Sequence, residues 1–255
     1  MKKKTSVSDD FHGYVKALWI CIASIPLAIV FIFLLVRLGF FGELPSTEEI
    51  TNPKSYLATE ILSSDGNQIG TFFHENRVHV EYEEIPKNLI NALVSTEDER
   101  FFQHSGIDFR SLGRALISLG SGGGGSTITQ QLAKLMFTQD PARGILVRVL
   151  QKLKEWVIAI EIERRYTKQE ILTMYLNKFD FLYQAVGIHS ASNVYFGKNP
   201  IELNIEESAL LVGMCKNPSY YNPARESRFE LAKNRRNTVL GQLRRNEFIN
   251  DFELD

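Results

Sequence analysis

The chain has 255 residues, of which 44% are hydrophobic and 23% charged, and its formal net charge is -1. That length exceeds a usual single domain once a membrane anchor is set aside, and the near-neutral charge argues against a dedicated nucleic-acid binder, which carries a basic excess. Cys21, in an apolar run, and Cys215, far downstream, offer neither a disulfide framework nor metal-ligand spacing and read as packing residues.

Residues 1–16 read as a cytoplasmic tail, and residues 17–36, ALWICIASIPLAIVFIFLLV, form a run without a charge. At the helical rise this run matches the hydrocarbon core of a bilayer, so it predicts a spanning helix that tolerates Pro26. Lys2, Lys3, Lys4 and Lys16 precede it and only Arg37 follows closely, which by the positive-inside rule places the N-terminus in the cytoplasm and the rest outside. A cleaved signal peptide is the rival, but the run is too long and RLGFFGELPS lacks a small-x-small cleavage site. Residues 37–57 form a connector, and residues 58–255 the extracytoplasmic domain.

That domain opens with ATEILSSDGNQIGTFFHENRVHVEY, which reads as short strands around the turn Asp65-Gly66. His74 and His79 lie five apart in strand-like sequence, not four apart on one helical face as a metalloprotease helix needs, so both are assigned structural roles. From residue 85 onward the pattern is helical. Ile85-Pro86 opens a helix with Pro near its first position and the stripe Leu89, Ala92, Leu93, Thr96. Leu112, Ala115, Leu116 and Leu119 form another stripe after the cap Asp108, ending at Gly120. Thr167 with Glu170, and Asn204 with Glu207, have capping-box spacing at two further starts. With no βαβ alternation and no repeat, the domain is expected to be mainly α with a small β element.

Three blocks carry candidate chemistry. In the first, TEDERFFQHSGID (96–108), Glu97 and Asp98 sit at a helix C-terminus, where the macrodipole disfavours acids. Such a local misfit marks either a functional site or a plain solvated turn. In the second, GGGGSTITQQLAK (122–134), consecutive glycines followed by hydroxyls and amides at a helix start suit a phosphate or a sugar. The lysine of a nucleotide-binding loop is missing and no hydrophobic strand precedes the glycines, so nucleotide binding is a weak reading. In the third, around KLKEWVIAIEIERRY, Leu153, Trp156, Val157 and Ile160 form one apolar stripe, and Glu155, Ile158, Ala159 and Ile162 another. A helix apolar on two sides is largely buried, so Glu155 must be paired, with Lys152 one turn away as the ready partner, or catalytic.

Taken in order, these blocks resemble glycosyltransferase family 51, the peptidoglycan polymerases found alone or as the N-terminal part of class A penicillin-binding proteins. The resemblance rests on TEDERFFQHSGID (96–108), GGSTITQQLAK (124–134), KLKE (152–155), YTKQEILTMYLN (166–177), GIHSASNVYFGK (187–198), EESALLVGMCKNPSYYNP (206–223) and RRNTVL (235–240). It implies a mainly α, lysozyme-like fold behind one transmembrane helix, with a second hydrophobic lobe resting in the membrane surface. It also implies the reaction, in which the 4-hydroxyl of one lipid II disaccharide attacks the anomeric carbon of the growing chain, with inversion and release of undecaprenyl pyrophosphate. The family pattern makes Glu97 the base and Glu155 the second acidic residue. Lys134, Arg143, Arg148, Lys152 and Lys154 supply a cationic cluster for the pyrophosphate, a good leaving group that needs charge stabilisation rather than a strong acid. Asp98, Ser126, Thr127, Gln130 and Gln131 would hold substrate or shape the cleft, and His104 would brace the first motif at the substrate site. No cofactor is certain, and a divalent cation, Mg or Mn, at the donor pyrophosphate stays open. The implied partners are lipid II, the glycan chain, the cytoplasmic membrane and other cell-wall synthesis proteins, with no nucleic acid.

This sequence departs from the family pattern at Leu135, where Asn is usual, at Gln151, where Arg is usual, and in FLYQAVGI, which lacks the usual Gly-Asn before Gly187. Arg148, Lys152 and Glu155, spaced i, i+4, i+7, share one face if their helix starts before residue 148, so Arg148 is either a solvated residue or the stand-in for the missing arginine. No Ser-x-x-Lys with the other transpeptidase motifs is found, and the chain stops in FINDFELD, about where bifunctional members continue. A glycan-cleaving lysozyme-like enzyme and a silent cell-wall scaffold are the rival readings.

Overall fold

The order of helices follows the capping and stripe signals closely. The structure, a computed structural model, describes residues 7–52, 59–65, 68–72, 78–118, 124–138 and 144–250. α1 runs Val7–Arg37, so the helix begins well before the apolar run, and its segment His12–Arg37 is long and apolar enough to cross a membrane. A short helix α2, Thr47–Thr51, is closed by a Ser46–Glu49 capping box. The strands β1 (Thr59–Leu62) and β2 (Gln68–Phe72) pair antiparallel with a register shift at Ile61/Leu62. His74 and Gly66 lie outside the described residues, and His79 is exposed beside Glu81. The segment after the hairpin is held by Asn177, whose side chain accepts from Val80 N–H at 3.0 Å and donates to the Val80 carbonyl at 2.8 Å.

The remaining helices are α3 (Lys87–Glu97), α4 (Phe109–Ile117), α5 (Ile128–Phe137), α6 (Ile145–Glu163), α7 (Lys168–Lys178), α8 (Ile188–Phe196), α9 (Ile205–Cys215) and α10 (Phe229–Arg245). Pro86 is the N-cap of α3 rather than a helical residue: its extended ψ of 142° turns its carbonyl toward the N–H groups of Leu89 and Ile90. Thr127 caps α5 through Gln130 N–H, and both expected capping boxes, Thr167–Glu170 on α7 and Asn204–Glu207 on α9, are formed. Asp108 accepts from the N–H groups of Arg110 and Ser111 and so caps α4, as expected. Leu119, Gly120 and the side chain of Leu116 lie outside the described residues.

One core joins these helices, built from Leu89 and Leu93 of α3, Ile128 and Leu132 of α5, Ile158 and Ile162 of α6, Leu172 and Tyr175 of α7, Leu211 of α9 and Val239 of α10. Burying each such side chain contributes about 1.5–3 kcal/mol, which outweighs the modest propensities of short helices. The two stripes of α6 have different partners. Glu155, Ile158, Ala159 and Ile162 face the core, whereas Trp156 on the other stripe stacks on Phe33 of α1 at 5.9 Å between ring centroids. Arg37 completes this junction with an ion pair to Glu161 at 3.3 Å.

The connection from α7 to α8 is strained. Leu182, Tyr183 and Gln184 adopt φ of 67°, 53° and 62°, a left-handed run that costs non-glycine residues about 1–2 kcal/mol each. The loop is closed by Phe181 N–H to the Ala185 carbonyl and Gly187 N–H to the Phe179 carbonyl, both at 2.9 Å. Gly187 itself, at φ 82°, has no room for a side chain, since a Cβ would lie 2.8 Å from the Asn177 carbonyl oxygen. Tertiary closure therefore holds residues in a conformation suited to the glycine and asparagine that this sequence lacks. Replacing exposed Gln184 by Gly is expected to raise stability by on the order of 1 kcal/mol. A thermal melt showing an unchanged or lower midpoint would contradict the strain.

Candidate active site

Glu97 is the last residue of α3, and Asp98 is its C-cap. The acidic misfit at this helix end is resolved in three dimensions. Asp98 turns away from its own helix and accepts the Ile128 N–H, the first of α5, at 3.0 Å. A carboxylate there meets the positive end of the α5 dipole. The His104 ring nitrogen Nε2 lies 2.9 and 3.0 Å from the two Asp98 oxygens. Both side chains are almost fully buried.

The loop between them is pressed on α6. Gly106, at φ 90°, would place a Cβ 3.1 Å from the backbone of Ala159, so only glycine allows this approach. Its carbonyl accepts from the Thr127 hydroxyl at 2.8 Å and the Gln130 amide at 3.1 Å. Asp98, His104 and Thr127 thus spend their polar atoms inside the protein. Of the residues assigned to substrate, Asp98, Thr127 and Gln130 line the cleft with side chains bonded to protein partners, and His104 braces Asp98 without lining it. Burial is the reason: Thr127 and Gln130 are each 1% exposed.

Glu97 faces the cleft with both oxygens engaged. Gln131 Nε2 donates to Oε2 at 3.0 Å, and Arg235 Nη2 of α10 donates to Oε1 at 3.3 Å. Opposite, on α6, Lys152 Nζ donates to Ser126 Oγ at 2.8 Å and pairs with Glu155 at 3.0 Å. Glu155 is buried and also lies 3.5 Å from the Thr138 hydroxyl. The ion-pair reading of Glu155 therefore holds, because a carboxylate so placed needs a cation beside it. Gln151 donates to the Thr138 carbonyl at 2.6 Å, satisfying the C-terminal end of α5. Leu135, where Asn is usual, packs its apolar side chain on the core.

These groups line a cleft of about 1140 Å³, together with Lys134, Arg148, Asp180, Leu182, Lys216 and Arg245. Arg143 lies outside the described residues. Lys154 lies toward Gly42 at the foot of α1 and not in the cleft wall, so it leaves the expected cluster. Arg235 had no expected role. It belongs to an Arg-Arg pair on a polar helix, and nothing local distinguishes it from a solvated residue. Tyr175 is likewise hidden in an ordinary core stripe, yet its hydroxyl donates to Gln131 Oε1 at 3.0 Å. Among the described residues no group of three or more His, Cys, Asp or Glu side chains could hold a metal ion.

A family model described as transglycosylase matches residues 65–244, and the chain belongs to that family. The match takes in all the helices from α3 to α9 and almost all of α10, so the helical domain is a transglycosylase domain. Penicillin-binding protein 1A of Vibrio cholerae is 37% identical over 225 residues, covering 85% of this chain and 26% of that protein. Penicillin-binding protein 1F of Bacillus subtilis is 39% identical over 203 residues, covering 78% of this chain and 27% of its own length. The crystal structure of penicillin-binding protein 1A from Haemophilus influenzae superposes with a TM-score of 0.44 and 24% identity, over 79% of this chain and 20% of that one. The chain thus spans about a quarter of the length of the curated relatives it matches.

The acidic motif also carries a pH-sensitive brace. Burial of Asp108 opposes its ionisation, but hydrogen bonds from Arg100 and Ser111 outweigh this and lower its pKa from 3.8 to about 2. A lowered pKa stabilises the fold above the unfolded value, and that contribution disappears as pH falls from about 4 to about 2. Asp108→Asn is expected to remove about 2 kcal/mol at neutral pH and to flatten the loss of stability across that acid window. Equal acid sensitivity of the two proteins in urea titrations would rule this out.

Proposed function

We propose that the protein polymerises lipid II into glycan strands, with Glu97 as the general base. The observation that carries this is a carboxylate held at the cleft wall by Gln131 and Arg235, opposite Lys152 and its partner Glu155. A sugar hydroxyl needs a base at neutral pH. As the acceptor oxygen attacks the anomeric carbon, its proton passes to Glu97. The bond from that carbon to the pyrophosphate breaks on the opposite face, and the electron pair leaves with the pyrophosphate, inverting the centre. Lys152, Lys134 and Arg148 are the cleft cations suited to the developing negative charge. Glu155 keeps Lys152 extended toward Ser126 and is a positioning group in this scheme. A divalent cation held by the pyrophosphate oxygens would need only one or two protein carboxylates, and no step here is routed through one.

We infer the membrane placement from the charge pattern of the sequence and from exposed apolar side chains. Lysines before α1 favour a cytoplasmic N-terminus, with the catalytic domain outside. Ile145, Leu146, Val147 and Val149 at the start of α6 are exposed, as are Phe109 and Ile117 of α4, an apolar surface suited to lipid. α6 therefore carries exposed apolar residues at its start, the cleft cations Arg148 and Lys152, and the Trp156 and Glu161 contacts with α1.

Incubation of the full chain with lipid II in detergent, followed by gel analysis, is expected to yield long glycan. Shortened glycan from sacculi would indicate a hydrolase, and no change in either substrate a scaffold. Glu97→Gln is expected to lower turnover by at least about 100-fold without lowering the melting temperature. Near-normal turnover would remove Glu97 as the base.

Arg148 lines the cleft one turn before Lys152 and serves the donor pyrophosphate in place of the arginine absent at 151. Arg148→Ala is expected to reduce kcat/KM roughly 10-fold or more. Adding Gln151→Arg is expected to restore much of that loss. Normal polymerisation by the single variant, or no recovery in the double, would refute the substitution.

A further inference from the structure

We infer that Tyr175 is a positioning residue for catalysis, acting on the base through the carboxamide of Gln131. The inference rests on the reading of Glu97 as the base. Tyr175 sits on α7, fully buried, and its ring packs against Phe179. A buried tyrosine hydroxyl needs a partner, and in most cores a nearby backbone carbonyl serves. Here it donates instead to Gln131 Oε1, a side chain of α5 whose other end donates to Glu97 Oε2. Three side chains on three helices therefore form one directed chain of donors ending on the carboxylate.

Direction is the point. A glutamine amide can present either its oxygen or its nitrogen to a neighbour. With the oxygen toward Glu97, two acceptors would face each other beside the reacting hydroxyl. Donation from Tyr175 takes the oxygen end and leaves the NH₂ for the base. The hydroxyl is kept as a neutral donor: burial, reinforced by Cys215 and Glu97 nearby, raises its pKa well above 10. The Cys215 thiol beside it is also held neutral, with burial first and Glu97 second among the causes. Arg235 completes the set of charged groups against Glu97, approaching Oε1 from α10. Gln131 and Arg235 so fix the carboxylate in both rotation and reach, and Tyr175 fixes Gln131.

A tyrosine that merely fills the core and a tyrosine that orients the base are separated by kinetics. Tyr175→Phe keeps the ring and removes only the donor. In the full chain assayed with lipid II, kcat is expected to fall roughly tenfold while KM stays within about twofold. Gln131→Met, which keeps the volume and removes both hydrogen bonds, is expected to show a kcat loss at least as large, again with KM unchanged. Adding Tyr175→Phe to Gln131→Met should then cause no further loss, since the tyrosine acts only through the glutamine. A normal kcat in Tyr175→Phe, or losses that multiply in the double variant, would overturn the inference. If Tyr175→Phe does not fold, Gln131→Met decides alone: a normal kcat, or a loss confined to KM, defeats it. Glu97→Gln, assayed alongside, separates the two levels. Turnover in that variant would refute the base itself, whereas its inactivity beside an unaffected Tyr175→Phe would refute only the positioning role.

Discussion

Asp98 joins two helices that lie thirty residues apart in the chain, through its bond to the Ile128 N–H. At the end of α3 its charge opposes the helix dipole, and at the start of α5 the same charge is favoured. The burial of His104 against it, and of Thr127 and Gln130 against Gly106, makes this junction rigid. Glu97 precedes Asp98 and Gln131 follows the capped turn of α5, so the distance between Glu97 and its amide donor is set by this one junction.

The cleft that results has different chemistry on its two sides. One side holds a carboxylate between an amide and a guanidinium, and the other a lysine between a hydroxyl and a buried carboxylate. Both carboxylates line the cleft with a cation beside them, and Glu155 is the more buried of the two, its side chain 7% exposed against 14% for Glu97. A buried pair adds little net stability, since desolvation offsets the attraction. Its value here lies in holding the Lys152 ammonium at a fixed point of the cleft wall.

α6 connects this chemistry to α1, the long apolar helix. One of its stripes completes the core, and the other receives Phe33 and leads to the Arg37–Glu161 pair. The helix thus carries a core face, a face against α1 and, with Arg148, Gln151 and Lys152, a polar face on the cleft. Across the cleft the loop at Leu182 is held in a left-handed conformation by its closing hydrogen bonds. Strain at a cleft wall survives only when the surrounding packing over-determines it, as the contact of Gly187 with Asn177 does here.

The long apolar helix, the capping boxes at Thr167 and Asn204, the cap at Asp108 and the mainly α class were all legible in the chain. Each depends on neighbours within a few residues or on a periodicity that one helix displays by itself. The pairing of Lys152 with Glu155 was legible for the same reason. Arg235, Tyr175 and the task of Gln151 were not, because each acts on a residue of another helix and breaks no local rule. Asp98 and Thr127 drew notice as polar residues at helix ends, but whether they faced substrate or protein was invisible until α3, α5 and α6 were assembled. Sequence by itself determined which elements form and which residue types supply the chemistry, since local propensity and spacing act along the chain. Tertiary structure alone decided which partners Glu97 receives, Gln131 from α5 and Arg235 from α10, since such hydrogen bonds arise only where helices meet.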